Sequence, residues 1–138
     1  MNNRVIHFEI HAENPEKMAE FYKNMFNWEI KEWEMPGVKP ENRFWAVVTA
    51  PADSKEPGIN GGIVVRKGSK PKGGEPVNAF ICTIGVSSVD DYLKKAVDLG
   101  GSVALPKMAI PGMAWLAYCK DIEGNIFGIF QEDKSAHN

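Results

Sequence analysis

Polar and apolar residues alternate near the start of the chain. His7, Glu9 and His11 fall on one side of a period of two, Phe8 and Ile10 on the other. That is the signature of a strand with two unlike faces. A helix follows. Asn14 suits an N-cap and Pro15 the first helical position. Met18, Phe21, Tyr22, Met25 and Phe26 then recur at i, i+3, i+4, i+7 and i+8 as one apolar stripe. Asn27 stands where a helix ends in the left-handed conformation. Strands are predicted at 28–34, 43–50 and 61–66, separated by turn-rich loops at 35–42 and 51–60.

The order then repeats. A strand is predicted over 78–86. Ser88 and Asp91 have capping-box spacing, and Val89, Tyr92, Leu93, Ala96 and Val97 form a second stripe that stops at Gly100-Gly101. Further strands are predicted at 102–106, 113–119 and 125–131, with Gly124 in the tight turn of D-I-E-G-N. Between the halves, K-G-S-K-P-K-G-G-E-P-V (67–77) has no apolar period and reads as a connector. The chain is thus expected to be α+β, a single structural domain of two tandem β-α-β-β-β modules, 1–66 and 78–138, joined by 67–77. One helix covers one face of each sheet. The other faces are expected to curl into a U-shaped, half-open barrel-like surface around a cavity.

Composition narrows the class. With 138 residues, 43% apolar and 25% charged, the chain has the make-up of one globular domain. A net charge of -2 gives no reason to expect nucleic acid or an acidic membrane as partner. No apolar run approaches the ~20 residues that span a bilayer, and no apolar signal segment follows M-N-N-R. Cys82 and Cys119 sit in strand-like runs without a CxxC spacing. They are expected to be buried free thiols of a cytoplasmic protein.

The candidate chemistry begins with the polar row His7, Glu9, His11. A row holding two imidazoles and a carboxylate can line a cavity instead of facing water. His7 and Glu9 form a candidate proton-transferring pair, with Glu9 expected to raise the His7 pKa, and His11 is a candidate ligand contact. Trp45 and Trp115 are expected to stack on a flat ligand, whereas Trp28 and Trp33 suit a core or an interface. Met113 belongs to P-K-M-A-I-P-G-M, an apolar loop that a lid would need. Gly61, Gly62 and Gly128 remove side chains from strands, and Gly62 and Gly128 are expected to leave room for a ligand. No phosphate loop, nucleophile elbow or paired-carboxylate motif occurs.

The tandem order, the opening V-I-H-F-E-I with N-P-E, the F-Y-x-x-x-F-x-W that follows, and the ending D-x-E-G-N-x-F-G-I-F-Q resemble the vicinal oxygen chelate superfamily. That group includes glyoxalase I, extradiol dioxygenases and bleomycin-resistance proteins. The resemblance spans essentially the whole chain and is nearest to glyoxalase-related proteins of unassigned reaction. It implies paired modules around a small-molecule site and a homodimer. In metal-dependent members it also implies four His, Glu or Gln ligands, one on the first and one on the last strand of each module. His7 matches the first position. The last strand of module one, 58–66, holds no carboxylate, imidazole, thiol or Gln. In 78–86 the inward position falls on Phe80 or Ile81, with only Asn78 and Cys82 as donors. The last position falls on Gly128. A catalytic ion needs about three protein ligands. A small-organic-ligand protein without the metal site is therefore expected. A metal-dependent lyase or isomerase of the glyoxalase type, with a divalent ion as cofactor, and a drug-sequestering dimer stand as alternatives.

Overall fold

The computed structural model describes residues 3–72, 75, 80–120, 122 and 125–138. The expected Gly124 turn and the candidate donor Asn78 lie outside the described residues. The elements are β1 (Val5–Ala12), α1 (Pro15–Phe26), β2 (Glu29–Glu32), β3 (Phe44–Val48), β4 (Gly61–Val65), β5 (Ile81–Gly85), α2 (Val89–Asp98), β6 (Ser102–Ile110), β7 (Ala114–Lys120) and β8 (Ile126–Glu132). This is the β-α-β-β-β order twice over, an α+β fold. The chain forms two compact units, His7–Phe80 and Met1–Ile6 with Ile81–Asn138.

In the His7–Phe80 unit the strand order is β2-β3-β4-β1. β1 runs parallel to β4, with Phe8 opposite Gly61 and Glu9 opposite Gly62, and β3 is antiparallel to both β2 and β4. The Asn14 side chain accepts the Lys17 N–H at 3.1 Å. Asn27 closes α1 at φ 58°, its N–H donating to the Lys23 carbonyl at 2.8 Å. One sheet face and α1 enclose a core of Ile10, Ala12, Ala19, Ile30, Trp45, Val47 and Ile63.

The other unit repeats that order as β5-β8-β7-β6. Asn3 and Arg4 extend it through backbone bonds to Gly85. Ser88 Oγ accepts the Asp91 N–H at 3.1 Å to start α2. Gly100, at φ 97°, ends it. Val86, Val89, Ala117, Cys119 and Ile129 form the core.

Several boundaries depart from the hydrophobic pattern. β2 is short, and Trp33 lies just past its end. β6 continues to Ile110, so P-K-M-A-I is the half of an edge strand that pairs with β7 through two register shifts, and not a lid. Met113 sits in the turn that follows, 42% exposed, its N–H donating to the Ile110 carbonyl. Cys119 is buried, whereas Cys82 is exposed and not the buried thiol that its apolar neighbours predict. Burial pushes the Cys119 thiol above its ordinary pKa, which makes it a poor nucleophile.

Candidate functional site

Which face a side chain takes decides what it can touch. In the His7–Phe80 unit the odd residues of β3, Trp45 and Val47, point under α1 with Ile63 and Ile10. Phe44 and Ala46 therefore point to the opposite face. There they line an open groove of about 520 Å³ with His7, Lys31, Glu32, Trp33 and the backbone of Gly61. The His7 ring lies roughly parallel to Phe44, with centroids 6.3 Å apart, and to Phe8 at 6.5 Å. Trp33 meets Phe44 edge-on at 5.8 Å and is 44% exposed. The groove thus offers two aromatic surfaces and one imidazole.

The polar row is divided. His7 lines this groove, while His11 lines a second one at the far end of β1. Glu9 is buried between them, with Oε1 3.4 Å from His11 Nε2. The electrostatics of His7 run opposite to the expectation. Burial lowers the imidazole pKa below its usual value, and the negative charge of Glu9 opposes that only in part. The sign of the linkage follows. A depressed folded-state pKa means that neutral His7 favours folding above the unfolded value of 6.5, and that this contribution is lost as pH falls through the folded pKa. Replacing His7 by Gln is expected to flatten the fall in Tm between about pH 7 and 5, measured as the difference between the two chains.

Glu32 contributes little free charge. Arg43 grips it in a two-pronged pair, Nε to Oε2 and Nη2 to Oε1, both 2.9 Å, and also reaches Glu16 at 3.1 Å. That grip holds the Glu32 carboxyl below its usual pKa. The guanidinium also lies over the Trp45 ring at 4.6 Å.

The remaining expected contacts are placed elsewhere. Trp45 is 4% exposed in the core, closed off from a ligand. Trp115 shares the α2-facing side of its sheet with Ala117 and Cys119. Its indole N–H donates to Asp133 at 2.9 Å, and Lys107 covers the ring at 4.3 Å. Asp133 is held below its usual pKa mainly by Ser135, with Trp115 adding to it. Gly62 does not hold space for a ligand, because a Cβ there would overlap the tip of the Phe44 ring. Gly128 faces Thr83 and Tyr118 in the same manner, with Thr83 Oγ1 2.7 Å from where its Cβ would stand. The glycines are seats for neighbouring side chains. Phe44 was not legible as a groove residue, because both faces of β3 are apolar, and neither was Trp33, which lies past the end of β2.

Comparison with known proteins gives the fold its context. No protein-family model matches the sequence, and no curated protein matches it. Among solved structures, the hypothetical protein BH1468 from Bacillus halodurans C-125 aligns over 100% of both chains, with a TM-score of 0.63 and 16% identity. Methylmalonyl-CoA epimerase in complex with methylmalonyl-CoA and NH4+ covers 99% of each chain at a TM-score of 0.60 and 15% identity. The chain has the vicinal oxygen chelate fold. A structure described as NAD-dependent benzaldehyde dehydrogenase from Legionella pneumophila also matches, at 0.55 and 19%, over 92% of this chain and 98% of its own. Names so unlike each other, at such identities, carry the fold and no reaction.

One face of the sheet is turned away from α1 and its core. Here the β4 positions facing that way are Gly62 and Val64, opposite Glu9 and His11. Asn60, just before β4, is tied to the Thr49 and Ala50 backbone, accepting two N–H groups and donating to the Ala50 carbonyl. Among the described residues, no three His, Cys, Asp or Glu side chains are grouped to hold a metal ion.

Proposed function

We propose that this chain binds a small, flat organic molecule in the groove beside His7, without the superfamily's divalent ion, and does so as a homodimer in the cytoplasm. The observation that supports it best is the pairing of His7 with the Phe44 and Trp33 rings around an open space of about 520 Å³. Such a volume is within the range of small-ligand sites. Apolar rings supply contact area, and the imidazole supplies a directional hydrogen bond. No described helix is long and apolar enough to cross a membrane. Exposed Met25 and Phe26 on α1 give a second copy an apolar surface to cover.

A lyase or isomerase step is the second reading. The lowered pKa of His7 leaves it neutral near pH 7, the form in which it accepts a proton from a bound substrate. The epimerases that share the fold bind CoA esters, which makes acyl thioesters a sensible part of any screen. A thermal-shift screen of aromatic compounds, metabolites and thioesters tests both readings, with metal content measured on the same preparation. Hits should raise Tm in the original chain and lose most of that gain in Phe44→Ala and Trp33→Ala. A stoichiometric divalent ion that leaves in His7→Ala would overturn the proposal.

A further inference from the structure

A second groove lies at the other end of β1, in the same unit and lined by different residues apart from the shared strand. Its volume is about 510 Å³. Three cationic side chains border it, Lys17 on α1, Arg66 just past β4 and Lys70 beyond it, and Met18, Phe21 and Tyr22 form an apolar wall. Glu13 is the one acidic residue on its rim among the described residues, and its Oε1 accepts the Lys70 backbone N–H at 3.4 Å. Arg66 is set in place by Nη2 donating to the His11 carbonyl at 2.7 Å. Its Nε is buried and has no hydrogen-bond partner. That atom is enclosed by protein, so the attraction for an anion comes from the excess of positive charge that Lys17, Arg66 and Lys70 place around the groove. The wall adds the complementary half. Phe21 is 56% exposed and stands edge-on to Tyr22 at 5.1 Å. At the start of α1, Pro15 has no N–H, and the Lys17 and Met18 N–H groups are taken by Asn14.

We infer that this groove is a separate binding site for a small amphipathic anion, with a carboxylate against Lys17, Arg66 and Lys70 and a flat apolar body against Met18, Phe21 and Tyr22. Charge-assisted bonds to the guanidinium fix the head, and ring contact fixes the body. The site does not depend on the reading of the His7 groove.

The probe is 2-naphthoate, with uncharged 2-naphthamide as its control, followed by backbone-amide NMR shifts in the full chain. The naphthoate is expected to shift residues 12–22 and 66–70. The amide should bind at least about tenfold more weakly. The double variant Lys17→Gln/Lys70→Gln, at two exposed positions, should weaken the naphthoate by a similar factor. Phe44→Ala should leave its affinity unchanged. Arg66→Lys keeps the charge while removing the fork, and is expected to lie between the original chain and the double variant. Equal binding of amide and naphthoate, shifts confined to residues 31–33, 44–46 and 61, or no binding at millimolar probe would each overturn the assignment.

Discussion

Gly61→Ala is expected to unfold the His7–Phe80 unit roughly 10 °C below the original chain, a loss of about 3 kcal/mol. Gly61 lies opposite Phe8 in the parallel β1–β4 ladder. A Cβ there would overlap the Phe8 carbonyl oxygen and come 2.7 Å from two carbons of its ring. The ring can turn, but the carbonyl belongs to the ladder and moves only if the strands separate. Gly62→Ala, one residue along, meets only the far end of the Phe44 ring. It should therefore cost much less while reshaping the groove beside His7. Thermal unfolding of both variants checks the contrast. Equal Tm losses would show that the backbone oxygen is not the limiting contact.

Trp45→Ala is expected to cost about 4 kcal/mol, the middle of the range for deleting a buried aromatic. The ring is 4% exposed among Ile10, Ile30, Val47 and Ile63, with Arg43 above it. Truncation opens a cavity and also removes the surface on which the guanidinium rests while it binds Glu32 and Glu16. Denaturant unfolding measures the loss. Ligand affinity, compared at a temperature where both chains are folded, should stay close to the original value, because the indole points away from the His7 groove. Trp33→Ala should show the reverse, a small change in stability and a large one in binding.

The pattern of apolar positions predicted the element order and both helix caps well. Asn14, Asn27, Ser88 and Gly100 do what their residue types allow locally, and no tertiary information is needed to read them. Faces were harder. F-W-A-V-V is apolar on both sides of the strand, so alternation cannot say whether Trp45 or Phe44 meets the helix. The core fixes it, since Trp45 and Val47 pack beneath α1. The same ambiguity misplaced Trp115. The double glycine of β4 was visible, but its purpose depends on which two rings lie over it. The boundary of β6 was obscured by Pro106, which reads as a strand end and is tolerated because β6 is an edge strand.

The seat that Gly62 makes for Phe44 bears on how such a chain changes over generations. A carboxylate or imidazole placed at 62 collides with the ring, so a gain of a metal donor there starts with a loss of fit. Shrinking Phe44 first removes a wall of the groove before any donor exists. Neither single step is an improvement, and the two changes are useful only together, a strongly non-additive pair. A route from this face to a metal-holding one therefore passes through an unfit intermediate, whichever residue changes first.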